Sequence, residues 1–186
     1  MRMVRQIPNL LTGLRFLLVP VMVWLLLADQ FWLALGVFMV MGLSDGLDGF
    51  LAKRFGWTTK LGEFMDPLAD KTMLVSAYIT LGWLGLIPKW LVIVVIARDV
   101  IILTGAAAYH FVIHHLQMAP SLISKINTLV QILLVLGVIV AKLELLPTDI
   151  LKYLMALTLF TTVISGVSYI VEWSARAKRE FHRGFD

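Results

Sequence analysis

Cysteine is absent from the 186 residues, which excludes disulfides and thiolate metal sites and leaves the redox compartment undetermined. Charge is scarce. Asp, Glu, Lys and Arg together make up 15% of the chain, against about a quarter in a typical soluble domain. With 60% hydrophobic residues and a mean hydropathy of +0.89, too few polar side chains remain to cover a soluble globule, so the class is integral membrane. Internal repeats and low-complexity segments are also missing, and the length fits a single domain, 1–186. The net charge of +4 sits largely at the flanks of apolar runs, which suits anionic lipid headgroups and gives no reason to expect nucleic acid.

Apolar runs long enough to cross a bilayer, about 20 residues each, fall at 9–28, 31–52, 66–86, 89–112, 122–142 and 148–173. The expected fold is therefore all-α with six transmembrane helices. Breaks are read at Ala28-Asp29-Gln30, at a polar turn over 53–65, at Pro88, between His114 and Pro120, and at Leu146-Pro147-Thr148-Asp149. Asp66-Pro67 suits either a helix start or a kink in a helix begun near Leu61. Arg2 and Arg5 precede the first run as in a secretion signal, but Arg15 interrupts it and no small-residue cleavage site follows Leu27. An uncleaved first span is expected.

Arg2, Arg5, Lys53, Arg54, Lys60, Arg176, Lys178, Arg179 and Arg183 fall on one side of this topology; Lys89 and Lys142 fall on the other. The positive-inside tendency then places both termini and the 53–65 turn in the cytoplasm. A bacterial inner membrane or its equivalent is the expected location. The tail after Trp173 reads as an interfacial helix end.

The chemistry concentrates between Asp45 and Asp70, D-G-L-D-G-F-L-A-K-R-F-G-W-T-T-K-L-G-E-F-M-D-P-L-A-D. Four aspartates at the ends of two apolar runs are costly there without a cation or a proton. On a helix Asp45, Asp48, Gly49 and Ala52 follow i, i+3, i+4, i+7 and share a face; Gly62, Asp66 and Asp70 follow i, i+4, i+8 and share another. A lone aspartate would be read as a solvated cap. Two carboxylate stripes with interleaved glycines can close round a hard cation and let a ligand approach the backbone. Only oxygen ligands occur in this stretch, so Mg²⁺ or Mn²⁺ fits better than zinc. Two such ions can neutralise a pyrophosphate and orient an incoming hydroxyl.

The pattern at Asp45, Asp48, Gly49, Ala52, Gly62, Asp66 and Asp70 resembles the signature of the CDP-alcohol phosphatidyltransferases. The resemblance implies a six-helix membrane enzyme, a homodimer, with two divalent cations held by the four aspartates. It also implies that Asp70 deprotonates an acceptor alcohol that displaces CMP from a CDP-activated lipid, with Gly49, Ala52, Lys53 and Gly62 lining the CDP-lipid site. Where the family usually carries Arg, this chain has Lys53, which keeps the charge but loses the forked contact to phosphate. Upstream, Asn9 and Thr12 resemble the nucleotide-approaching residues of the family's first helix. Read from the residues alone, Asn9, Thr12 and Arg15 suit a capped, snorkelling helix start, and Arg15 carries no assignment.

Arg98 and Asp99 lie inside the fourth run. Adjacent helix residues diverge by about 100°, so face-to-face pairing is not expected and each needs a partner on another helix or a wet cavity. Arg98, joined by Lys125 at the start of the fifth run, is read as binding an acceptor phosphate. Ala97-Arg98-Asp99 and Ser124-Lys125-Ile126-Asn127-Thr128 look more like cardiolipin synthases that use CDP-diacylglycerol than like phosphatidylglycerophosphate synthases. Asn127 in place of a lysine removes a cation from the pocket, which favours phosphatidylglycerol over the more highly charged glycerol 3-phosphate. Membrane lipids complete the expected partners.

His110, His114 and His115 have spacing compatible with a transition metal but read as interfacial surface. The six tryptophans suit the interfacial belt, and Glu144 and Asp149 read as solvated. A cation transporter using the same carboxylates is the rival from another class. It would show paired halves with binding groups near the midplane, whereas here the acids gather in two consecutive runs toward one face.

Overall fold

The computed structural model describes the backbone of residues 7–55, 60–113 and 122–183 and the side chains of residues 12–44, 46, 68–105 and 122–171. Six α-helices account for it: α1 (Ile7–Leu27), α2 (Phe31–Phe55), α3 (Lys60–Trp83), α4 (Lys89–Ile113), α5 (Leu122–Lys142) and α6 (Asp149–Arg183). No strand occurs among the described residues. Among the described residues, two stretches are long and apolar enough to cross a membrane, Leu122–Lys142 and Asp149–Val171.

Two helices extend beyond the apolar runs. α3 starts at Lys60, six residues before the run at 66, so of the two readings of Asp66-Pro67 the helix begun near Leu61 is the one found, and the pair lies inside it. The spacing of Gly62, Asp66 and Asp70 already has helical period, and hydropathy alone missed this first turn because it is polar. α6 runs without a break to Arg183, so the basic tail continues the last helix.

The chain forms two compact units, Met1–Pro88 with Val135–Thr148, and Lys89–Leu134 with Asp149–Asp186. In the first, α1 packs against both α2 and α3. It buries Thr12, Arg15, Val19, Met22 and Leu26, a stripe at steps of three and four residues that gives α1 one continuous inward face. Met41 from α2 and Ala77, Tyr78 and Leu81 from α3 complete this interior.

Three helices of this unit end alike. Asp29, Gly85 and Glu144 have φ of 59°, 73° and 61°. In each, the next residue's N–H reaches back five residues, Gln30 to Leu25 O at 2.9 Å, Leu86 to Leu81 O at 2.9 Å and Leu145 to Val140 O at 3.2 Å. This left-handed cap satisfies carbonyls that a helix end otherwise leaves open. Glycine adopts it freely, and aspartate and glutamate at a cost.

In the second unit α6 is polar on its buried face and apolar on its outer face. α6 buries Thr158, Thr162 and Ser165 while Phe160, Val163, Val167 and Ile170 are exposed. Water would favour the reverse, and lipid favours this arrangement.

Candidate active site

α2 carries Asp45, Asp48, Gly49, Ala52 and Lys53, and α3 carries Gly62, Asp66 and Asp70. Both stretches are helical, which is the premise on which each set shares a face. The side chains of Asn9, Asp45, Asp48, Gly49, Ala52, Lys53, Gly62, Asp66 and the histidine cluster lie outside the described residues. Thr12 is buried on α1.

Asp70 is tied to the first helix. Arg15 Nη1 donates to Asp70 Oδ1 at 2.6 Å, with the arginine side chain 1% exposed and the aspartate 38%. The ion pair spans 55 positions in sequence. Helical spacing marks Asp70 but is silent on Arg15, whose only signal is a cation in the middle of an apolar run.

In the second unit, Arg98 is 4% exposed and lies among three helices. Its Nη1 donates to Asp99 Oδ1 at 2.7 Å. Its Nη2 donates to Ser124 Oγ on α5 at 2.6 Å and to Ser165 Oγ on α6 at 2.5 Å, and Nε reaches the same Ser165 at 3.2 Å. The Tyr169 ring centroid lies 6.0 Å from the guanidinium carbon. Contrary to the sequence expectation, Arg98 and Asp99 do pair. The arginine stem is long enough to swing its head back to the adjacent carboxylate, and with both groups buried no water competes for either. Lys125 is exposed, and its neighbour Ser124 is the residue that reaches Arg98.

One turn along α5, Asn127 is fully buried. Its Oδ1 accepts from the Thr161 and Thr162 hydroxyls, each at 2.9 Å. The sequence reading singled out none of Ser124, Thr161, Thr162 and Ser165 as binding partners. For the three on α6 the signal is a run of hydroxyls at steps of three and four residues, hidden in a segment read only for its hydropathy.

The chain matches the CDP-alcohol phosphatidyltransferase family over residues 5–164, a range holding all four aspartates, Arg15, Arg98 and Lys125. It belongs to that family. Among its relatives, the cardiolipin synthase (CMP-forming) of Rattus norvegicus is 37% identical over 88% of this chain and 60% of the relative. The CDP-diacylglycerol–glycerol-3-phosphate 3-phosphatidyltransferase of Bacillus subtilis is 29% identical over 91% of this chain and 96% of the relative. A probable phosphatidylglycerophosphate synthase of Mycobacterium tuberculosis is 32% identical over 95% and 84%. The chain thus spans about three fifths of the length of the rat and human cardiolipin synthases.

CDP-alcohol phosphatidyltransferases generally depend on divalent cations, and the donor chemistry here fits such ions. Asp70 offers a half-exposed carboxylate, the other three acids stand on the same two helices, and hard oxygen donors suit Mg²⁺ or Mn²⁺.

Proposed function

We propose that the chain is an integral membrane phosphatidyltransferase that moves a phosphatidyl group from CDP-diacylglycerol to a glycerol-type hydroxyl and releases CMP. In this reading all six helices cross the bilayer, both termini and the aspartate-bearing helix ends face the cytoplasm, and the protein works as a homodimer. The observation that carries it is the helical continuity of α2 and α3 through the family's aspartate pattern, which sets two carboxylates on each of two successive helices.

Two divalent cations, Mg²⁺ or Mn²⁺, bound by Asp45, Asp48, Asp66 and Asp70, would supply neutralisation of the pyrophosphate. Asn9, Thr12, Gly49, Ala52, Lys53 and Gly62 take the CDP-lipid. Arg98 and Lys125 hold the acceptor's phosphate. Asp70 accepts the proton of the acceptor hydroxyl as its oxygen attacks the phosphorus bearing diacylglycerol. The bond from that phosphorus to the bridging oxygen breaks, and CMP leaves with the electron pair.

Phosphatidylglycerol is the proposed acceptor. Asp99 offsets the charge of Arg98, and Asn127 stands where a further lysine would add charge. With Arg98 offset, the site keeps the single positive charge of Lys125, which suits a phosphodiester, carrying one negative charge, better than a phosphomonoester, which carries close to two. Glycerol 3-phosphate is the second reading, favoured by the match to the Bacillus subtilis transferase over 96% of its length.

The test is to incubate purified protein with CDP-diacylglycerol, Mg²⁺ or Mn²⁺, and each acceptor separately, and to identify the lipid by mass spectrometry. Cardiolipin from phosphatidylglycerol is expected. Phosphatidylglycerophosphate from glycerol 3-phosphate alone selects the second reading, and no CMP release with either acceptor removes the proposal.

A further inference from the structure

Arg15 is among the largest fully buried side chains of the described residues. A guanidinium keeps its charge at any pH a protein meets, so its burial requires a counter-charge held in good geometry. Across the α1–α3 interface that counter-charge is Asp70, at 2.6 Å. The two partners are unequally placed. Asp70 is 38% exposed, whereas Arg15 is 1% exposed. The contact through which Arg15 bears on the reacting groups is the carboxylate it holds.

Position on α1 adds a second element. Thr12 lies one turn before Arg15 on the same face, and both are buried. α1 itself packs on both aspartate-bearing helices. One helix thus carries a residue assigned to the CDP-lipid and the residue that fixes the orientation of Asp70.

We propose that Arg15 is a positioning residue: it locks the Asp70 carboxylate in the orientation that receives the acceptor's proton and ties that orientation to the helix that holds the donor nucleotide. This rests on the reading of Asp70 as the base. An unanchored aspartate side chain samples several rotamers, and a displacement of about 1 Å at a reacting group can cost up to a hundredfold in rate.

The experiment is a double-mutant cycle on kcat with Arg15→Met, Arg15→Lys and Asp70→Asn in purified protein, followed by release of labelled CMP, with detergent melting curves for each variant. Arg15→Met is expected to lower kcat by about tenfold to a hundredfold while the KM for each substrate moves less than about threefold. Arg15→Lys, which keeps the charge but not the fork, should recover part of the loss. In the Asp70→Asn background Arg15→Met should cost nothing further, because the group it positions is already gone. An equal loss from Arg15→Met in both backgrounds, or a loss confined to KM, overturns the inference and leaves the proposed function standing. A full rate in Asp70→Asn alone instead removes Asp70 as the base, and this inference with it.

Discussion

Arg98 and Asp99, neighbours in sequence, form an ion pair at 2.7 Å inside the second unit, with two serines from other helices completing the arginine's contacts. The pair carries no net charge, and this bears on which phosphate the site accepts. Replacing Asp99 by Asn leaves a buried, uncompensated guanidinium, which is expected to cost about 3 kcal/mol in stability. It should also shift acceptor preference from phosphatidylglycerol toward glycerol 3-phosphate. Competition between the two acceptors in one vessel reads the ratio; an unchanged ratio in a folded variant would separate this pair from acceptor choice.

Asp45→Asn removes a charge from the α2 stripe while keeping its size. Turnover is expected to fall by about a thousandfold or more, the scale on which electrostatic stabilisation of a phosphoryl transfer acts. The melting curve should change little, since an exact isostere at a helix position disturbs no packing. A normal rate in purified protein would exclude Asp45 from the reaction.

Chelation probes the oxygen-donor set as a whole. Exhaustive removal of divalent ions with EDTA is expected to abolish CMP release, and Mg²⁺ or Mn²⁺ should restore it while Zn²⁺ does not, since four carboxylates without a nitrogen or sulfur ligand favour the harder ions. Persistent activity in chelator would rule out a cation requirement.

The left-handed caps make a stability prediction that is independent of function. Glu144 holds φ 61° without being glycine, so Glu144→Gly should stabilise the fold by about 1 kcal/mol, and Gly85→Ala, at φ 73°, should destabilise it by about 1–2 kcal/mol. Unfolding of the detergent-solubilised variants measures both. The same sign for the two substitutions would contradict the cap assignment.

Gly166 adds a finer check on the Arg98 site. A Cβ there would meet Arg98 Cγ at 3.7 Å, an ordinary contact, so Gly166→Ala should fold normally and gain up to about 1 kcal/mol from helix propensity. Gly166→Leu would press on the arginine stem and is expected to raise the KM for the acceptor. Kinetics of the two variants side by side test the difference.

What the amino-acid order determined alone is local. Apolar runs and turn residues marked six helices, and a period of three and four residues put Asp45 with Asp48, and Asp66 with Asp70, on shared faces. A helix's register is fixed by its own backbone hydrogen bonds, so residues a few positions apart reveal their common face without any partner in view. The polar first turn of α3 escaped the hydropathy reading but not the aspartate spacing. Tertiary structure alone decided where the buried cations find their counter-charges and hydrogen-bond partners. Arg15 meets Asp70 from 55 positions away, and Arg98 gathers Ser124 and Ser165 from two other helices. Such meetings depend on which helices pack together and at what height, and no local period encodes that. Even the pairing of Arg98 with adjacent Asp99, which backbone geometry disfavours, was settled by burial, because an interior without water leaves a charge no better neighbour.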